Sequence, residues 1–147
     1  MYAYELEHVL ARLFRKSDVY SAEDEKVAAR FESLRRYNCI PQGRARRGER
    51  LTLHQVALAI LGMTPNAPAW AGHSATCLQN LVPVGGPSAA WGAETLALAT
   101  VRLLSDRDMR ERLVRMTITG AESGVNVNGY AEVVMQDRDE NQRAAFV

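Results

Sequence analysis

The chain has 147 residues, a net charge of +1 and an apolar content of 47%, which suits one ordinary globular domain or two small units that share a core. Its longest strictly apolar run, residues 56–61, is far shorter than the roughly 18 to 20 residues that span a bilayer. Residues 1–16 mix charged groups into their apolar pattern, unlike a signal peptide, and two cysteines are too few for a disulfide framework, so a cytoplasmic protein without a membrane partner is expected.

Two amphipathic helices are predicted first. Apolar residues recur at helical spacing over residues 2–16. Ser21 precedes a run of acids and suits the start of a second helix over residues 22–37, because its hydroxyl can cap free amides while the acids meet the positive end of the helix dipole. Pro41 then ends the helical region. The buried stripe predicted for the second helix comprises Val27, Phe31 and Leu34.

A third helix is predicted directly after Thr52. Thr52 and Gln55 have the spacing of a capping box, in which each residue satisfies a free amide of the other. The helix is expected to bury Val56 and Ile60, with Leu53 as a further candidate for the buried face, and to end at Gly62.

Prolines and glycines divide the next segment, residues 65–88, into short pieces. One short helix over residues 74–81 fits there. A longer helix is predicted over residues 89–104, and Ser105 with Asp106 begins another that runs to about residue 113.

Strand patterns follow the last helix. Residues 114–119 and 130–135 alternate between two sets of side chains, which is typical of strands. Asn128-Gly129 is the strongest dipeptide signal for a two-residue hairpin turn, and residues 137–147 are predicted to be a polar tail. The fold class expected is α+β, mainly helical with a C-terminal antiparallel β-hairpin.

Positive charge is concentrated between Arg30 and Arg50. This stretch holds seven arginines and two glutamates, a balance of +5, whereas each flank carries −2. Guanidinium groups bind phosphate through paired donors, so the segregated charge favours double-stranded DNA as partner over a solvated basic loop. The residues predicted to contact DNA are Arg30, Arg35, Arg36, Tyr37, Arg44, Arg46, Arg47 and Arg50. Arg35 or Arg36 can instead pair with a nearby glutamate.

Residues 51–93 contain no lysine, arginine, aspartate or glutamate. Surfaces of monomers normally carry charge, whereas interface cores lose charge and gain aromatic residues. The stretch is therefore either an internal seam or a partner interface. Trp70 and Trp91 are the expected anchors in both cases.

No residue set nominates a reaction. The three histidines and two cysteines lack the paired spacing of zinc modules, and no glycine-rich phosphate loop is present. We therefore expect no enzyme activity, no metal site and no cofactor.

Two phrases, Leu34-Arg-Arg-Tyr-Asn-Cys-Ile-Pro41 and Arg47-Gly-Glu-Arg-Leu-Thr52, stand before a helix. Together they resemble the heart of MerR-type winged helix-turn-helix proteins, over residues 22–62, and are similar to small prophage regulators. The resemblance implies an N-terminal winged helix-turn-helix-like unit. Its implied DNA-facing helix end carries Arg35, Arg36 and Tyr37, and its implied wing carries Arg44, Arg46, Arg47 and Arg50.

Three segments are expected: a helix-turn-helix-like DNA-binding unit over 1–64, a helical segment with the hairpin over 65–136 for dimerisation or partner contact, and the tail over 137–147. The function predicted is sequence-specific DNA binding by a transcription regulator of bacterial or phage origin. A homodimer is the geometric expectation for a regulator that reads a palindrome.

Two alternatives to regulation remain open. Recognition of phage DNA for packaging has the same sequence requirements as regulation. A protein-interaction module, either an adaptor or an inhibitor, would instead dock an acidic partner on the arginines and use the uncharged stretch as its hydrophobic contact.

Overall fold

The computed structural model describes residues 1–14, 22–42, 48–119, 129–137 and 140–147. The chain divides into two compact units, Met1–Thr76 and Cys77–Val147. The sequence predicted this division at a different place, after residue 64. Within the described ranges the chain forms six α-helices and one three-stranded antiparallel sheet, so the predicted α+β class is confirmed. None of the helices in these ranges is long and apolar enough to cross a membrane.

The first unit is built from helices. They are α1 (Ala3–Phe14), α2 (Ala22–Arg36) and α3 (Leu53–Leu61), followed by a 3-10 turn (Pro68–Trp70) that leads into α4 (Ala71–Leu78). The predicted stripe of α2 is confirmed, because Val27, Phe31 and Leu34 are all buried. Burying side chains of this size stabilises a fold by roughly 1.5 to 3 kcal/mol each. The predicted cap at Ser21 lies outside the described residues.

Helix α2 ends at Arg36, within one residue of the predicted end, but the residue that stops it is not the predicted Pro41. Asn38 has φ 56°, the left-handed conformation that asparagine tolerates better than most residues. The Cys39 amide donates to the Leu34 carbonyl at 2.9 Å, and the Asn38 amide donates to the Arg35 carbonyl at 3.0 Å. This pair of bonds is a Schellman motif, which satisfies the last carbonyls of a helix. Asn38, and not Pro41, therefore stops α2.

The capping box predicted for α3 is confirmed. Gln55 donates its amide to Thr52 Oγ1 at 3.2 Å, and Thr52 donates its amide to Gln55 Oε1 at 2.9 Å. The predicted buried face is wrong, because Val56 and Ile60 are only partly buried and Leu53 is 48% exposed. The buried residues of α3 are Ala57, Leu58, Ala59 and Leu61.

The second unit joins short helices to the sheet. After a 3-10 turn (Pro87–Ala90) come α5 (Leu96–Ser105), α6 (Arg107–Arg112), β1 (Leu113–Thr119), β2 (Tyr130–Asp137) and β3 (Glu140–Phe146). The helix predicted over 89–104 is wrong before Leu96. Trp91 has φ 53° and Gly92 has φ 82°, so neither continues a right-handed helix, and Thr95 Oγ1 caps the start of α5 by accepting from the Leu98 amide at 3.3 Å.

The sheet has the order β1-β2-β3, and it corrects two sequence predictions. Tyr130 pairs with Thr119, so a two-residue turn at Asn128-Gly129 is wrong; Asn128 itself lies outside the described residues. The predicted polar tail is also wrong over 140–146. There β3 pairs with β2, and the side chains of Ala144 and Phe146 are buried.

Each face of the sheet has its own chemistry. Val133 pairs with Met116 on one side and Ala144 on the other, and these residues lie on the apolar face. On the opposite face the Glu132 carboxylate lies 3.3 Å from Arg115 and 3.9 Å from Arg143. The two arginines of the strands, Arg115 and Arg143, thus both lie near the Glu132 carboxylate. This contact gives the polar strand β3 a charged partner in the sheet.

Candidate nucleic-acid interface

The last turn of α2 carries Arg35 and Arg36, of which Arg35 is only 7% exposed. Its Nη1 lies 3.2 Å from the Glu32 carboxylate, and its Nη2 lies 3.6 Å from the Glu7 carboxylate on α1. Its guanidinium also lies 6.0 Å from the ring centroid of Phe31. The sequence predicted that Arg35 contacts DNA; the guanidinium instead lies inside the first unit, because two acids neutralise it there. Arg35 joins α2 to α1.

Arg36 and Tyr37 are the accessible groups at this end of α2. Arg36 is exposed and forms no ion pair with any residue that the structure describes. Tyr37 is 43% exposed, and its ring meets His73 edge-on, with centroids 6.1 Å apart. These two side chains keep the accessibility that a DNA contact requires.

Arg30 lies in the middle of α2, away from the last turn that carries Arg35 and Arg36. Its Nη1 donates to the Gly62 carbonyl at 3.4 Å, and its Nη2 donates to the Asn66 carbonyl at 3.3 Å. Helix C-termini leave carbonyls without intrahelical partners, and arginine donors satisfy them. Arg30 thus connects α2 to the segment after α3.

The basic segment, residues 42–50, is held to the first unit at both ends. At one end Gln42 donates its side-chain amide to the Arg35 carbonyl. At the other end the Leu51 amide donates to the Met1 carbonyl at 2.9 Å, next to a β-bridge between Arg50 and Tyr2. Arg44, Arg46 and Arg47 lie outside the described residues.

An aromatic cluster lies beside the basic segment, and the sequence did not predict it. The rings of Tyr2 and Tyr4 stack with centroids 5.9 Å apart and planes 14° apart. The guanidinium of Arg50 lies 5.8 Å from the Tyr2 ring centroid. Residues two apart on a helix do not face each other; the rings meet because α1 begins at Ala3, after Tyr2.

A cleft opens beside the two tyrosines. We call it the tyrosine cleft, and its lining includes Tyr2, Tyr4, Pro41, Gln42, Gly48 and Glu49. It therefore lies at the described ends of the basic segment. It combines aromatic rings with one carboxylate, that of Glu49, among the described residues that line it.

The two tryptophans occupy different environments. Trp70 is half-buried in the first unit, where its ring meets His73 edge-on with centroids 5.5 Å apart. Trp91 belongs to the second unit and donates Nε1–H to Gln142 Oε1 at 3.2 Å, while its carbonyl accepts from Arg102. Each ring is thus used within its own unit. Their predicted role as anchors for a partner stays a prediction.

Many side chains of the uncharged stretch, residues 51–93, are buried in the cores of the two units. Ala57, Leu61 and Ala75 are buried in the first unit, and Ala90 and Ala93 are buried in the second. This burial accounts for part of the missing charge. Exposed apolar side chains remain, and the largest of them are Leu53, Val82 and Val84.

Neither cysteine is set up as a nucleophile. Cys39 is buried, its Sγ donates to the Gly72 carbonyl at 3.7 Å, and it lies 3.7 Å from Thr76 Oγ1. Burial raises the pKa of the Cys39 thiol, against a smaller lowering by the Thr76 hydroxyl. Burial also raises the pKa of the Cys77 thiol. A raised pKa keeps a thiol protonated and unreactive.

Histidine, cysteine and carboxylate side chains do not form a metal site in the part of the chain that the structure describes, where no three of them come together. Comparisons with protein-family models, curated proteins and solved structures found no match for this chain.

Proposed function

We propose that this chain binds double-stranded DNA in a sequence-dependent way, as a transcription regulator of bacterial or phage origin. The observation that carries the proposal is the double attachment of the basic segment. Its first residue, Gln42, donates to the Arg35 carbonyl near the end of α2, and the Leu51 amide, just after its last residue, donates to the Met1 carbonyl. A segment attached at both ends loses less conformational freedom on binding than a free tail, so more of its phosphate contacts contribute to affinity.

Charge supports the same proposal. Arg35 is neutralised by Glu7 and Glu32, which removes one of the seven arginines from the interface. Six remain, against Glu49 as the nearest acid in sequence: Arg30, which donates to two backbone carbonyls, Arg36, Arg50 and the arginines at positions 44, 46 and 47. This excess of positive charge suits a phosphate backbone, where each neutralised phosphate releases a counterion.

In the proposed complex the basic segment acts as the wing of a winged helix-turn-helix unit. Arg44, Arg46, Arg47 and Arg50 contact phosphates and set the register, while Arg36 at the end of α2 contacts base edges. Arginine donates two parallel hydrogen bonds to guanine in the major groove. Two copies would read the two halves of a palindrome.

Salt-dependent duplex binding tests the phosphate contacts. In a variant with glutamine at positions 44, 46 and 47, the slope of log affinity against log salt should fall by about 3, since each phosphate contact contributes about 0.9. Fluorescence anisotropy with a labelled duplex, at salt concentrations between roughly 0.05 and 0.2 M, measures the slope.

The matched control places glutamine at Arg107, Arg115 and Arg143, which are exposed arginines of the second unit. It removes the same charge from elsewhere and should leave the slope nearly unchanged. Equal slopes for both triple variants would contradict binding through the basic segment.

A protein-interaction module is the second candidate. Val82 and Val84 favour it: they are 53% and 56% exposed on a segment that hydrogen-bonds to the end of β3. An acidic protein would then occupy the basic segment. Binding to one protein, with duplex affinity insensitive to Arg44, Arg46 and Arg47, would favour this candidate over DNA binding.

A further inference from the structure

We propose that β1 is a dimerisation strand, which pairs antiparallel with β1 of a second copy of this chain about a two-fold axis at Thr117. The proposed function calls for two copies on a palindrome, and the inference rests on it only in naming the surface that joins them. Three observations carry it: the open edge of the sheet at β1, the covered opposite edge, and side chains of β1 that are complementary to themselves.

Strand β1 is an edge strand. Among the described residues no strand lies on its outer side, since the sheet has the order β1-β2-β3 and the isolated bridges lie elsewhere. Its side chains are accessible as well: Val114 is 55% exposed, the Arg115 side chain is 61% exposed, and Thr117 is exposed. An edge strand presents unpaired N–H and C=O groups, and the ligand that satisfies them is another strand.

Few features of β1 oppose such pairing. Sheet edges are commonly protected by lysine, proline or a bulge. The register shift of β1 lies at its start, between Leu113 and Arg115, and residues 115–119 pair regularly with β2. On the apolar face of the sheet Met116 and Ile118 are only half-buried. A further strand beside β1 would therefore remove apolar surface from water.

The opposite edge of the sheet is covered by the chain itself. There residues 82–84 hydrogen-bond to the end of β3. Pro83 has no N–H, and its carbonyl accepts from the Gly86 amide at 3.0 Å, so this segment is unsuited to pairing with a further strand. Farther along β3, Trp91 donates to Gln142. Pairing through β1 therefore ends at two copies instead of continuing into a fibre.

Two-fold pairing centred on Thr117 uses all five residues of the regular segment. Opposite residues lie on the same face of a sheet, so Thr117 meets its own copy on the polar face. Arg115 meets Thr119 of the second copy on that face. Met116 meets Ile118 of the second copy on the apolar face. Threonine pairs and apolar pairs are favourable across strands, and no two like charges stand opposite each other.

Cysteine cross-linking tests the register. In the proposed pair the two copies of residue 117 have Cα atoms about 4.5 to 5.5 Å apart, within the range of a disulfide. Thr117→Cys should therefore form a covalent dimer under mild oxidation, well above the background that Cys39 and Cys77 give in the intact chain. Thr119→Cys is the matched control, because its two copies lie four residues apart along the strands, about 13 Å, which is too far for a disulfide.

Sedimentation equilibrium without DNA tests the dimer itself. Five paired residues make a small interface, so the dimer should be weak and should dissociate on dilution. The intact chain should show a monomer–dimer equilibrium between about 1 and 500 μM. Thr117→Lys places like charges opposite each other and should raise the dissociation constant about fivefold. Asn141→Lys adds the same charge to an exposed position of β3 and should leave it unchanged.

Three results would overturn the pairing of β1: Thr117→Cys that cross-links no faster than Thr119→Cys, a dissociation constant that Thr117→Lys leaves unchanged, or a chain that stays monomeric at every concentration. The last result would leave the edge to a strand of another protein. Because these measurements contain no DNA, none of the three touches duplex binding. Cross-linking through residue 117 without any duplex binding would overturn the proposed function alone.

Discussion

The guanidinium of Arg35 and the carboxylate of Glu7 lie 3.6 Å apart, and this ion pair joins α2 to α1. An arginine from the most basic part of the chain thus stabilises the first unit and is not available to a ligand. Its neighbour Arg36 is exposed. The two residues are adjacent and identical in type, which makes them a natural pair for separating stability from binding.

Arg35→Ala should lower the free energy of unfolding by about 1 to 3 kcal/mol, since it removes two ion pairs and the packed stem of a buried side chain. The larger loss of stability that follows when a fully buried ion pair is broken is not expected here, because Glu7 and Glu32 are both partly exposed. Arg36→Ala should change stability by less than about 0.5 kcal/mol and weaken duplex binding. Urea denaturation measures the first effect and anisotropy the second; equal stabilities would contradict a structural role for Arg35.

Gly72 is required by the close approach of α4 to α2. A Cβ added there would lie 2.5 Å from the Ser33 carbonyl oxygen and 2.8 Å from the Cβ of Tyr37, atoms that cannot move without moving α2. Gly72→Ala should therefore cost about 1 to 3 kcal/mol, the usual range for overpacking, as measured by urea denaturation. It should also weaken duplex binding, because Tyr37 would be displaced.

Gly129→Ala is the control for that substitution. Its added Cβ would meet the end of the Leu78 side chain, at 2.6 Å, instead of a backbone atom. The loss of stability should be clearly smaller than for Gly72→Ala. A larger loss at Gly129 would contradict the close approach at Gly72.

Thr52 supports α3 through the reciprocal bonds of its capping box. Thr52→Ala should lower the free energy of unfolding by about 1 kcal/mol, the typical value of a lost N-cap. Thr52→Ser restores a hydroxyl acceptor and should recover most of the loss. Thermal or urea unfolding followed by circular dichroism tests this, and equal stability of the alanine and serine variants would rule out a capping contribution.

Cys39 should make stability depend on pH in the alkaline range. Burial raises the pKa of its thiol above the ordinary value of 9.0, so around and above that pH the folded state holds the proton more tightly than the unfolded state. The unfolding free energy therefore falls as pH rises through this range. Cys39→Ala removes this contribution, so its stability deficit relative to the intact chain should shrink between about pH 7.5 and pH 10. Urea denaturation at both pH values measures it; a deficit that grows with pH would contradict the burial.

Local patterns predicted those parts of the fold that local interactions decide. The stripe of Val27, Phe31 and Leu34 follows from helical periodicity, and the capping box of Thr52 and Gln55 follows from the spacing of two side chains and two amides. Both depend on residues within a few positions of each other, so a single sequence contains all the information needed.

Parts decided by distant contacts were not predicted. Strand β3 looks like a polar tail because its first residues are exposed, and only pairing with β2 reveals why Arg143 lies near Glu132. The start of α5 depends on the left-handed backbone of Trp91 and Gly92. Periodicity of side chains does not report backbone conformation at single positions.

The same distinction between local and distant contacts applies to the candidate interface. Charge counting indicated the basic segment, because excess charge is a property of composition. It could not distinguish Arg35 from Arg36, since burial of Arg35 depends on Glu7 in another helix. The tyrosine cleft was missed because the bridge between Tyr2 and Arg50 joins residues far apart in sequence.

Selection of bound duplexes from a random-sequence pool, at roughly 0.15 M salt to suppress purely electrostatic retention, tests sequence-dependent DNA binding most directly. The intact chain should enrich a defined motif, with two-fold symmetry if two copies bind, and the variant with glutamine at positions 44, 46 and 47 should recover far less DNA. Weak retention without an enriched motif, equal for the intact chain and the variant, would contradict sequence-dependent DNA binding.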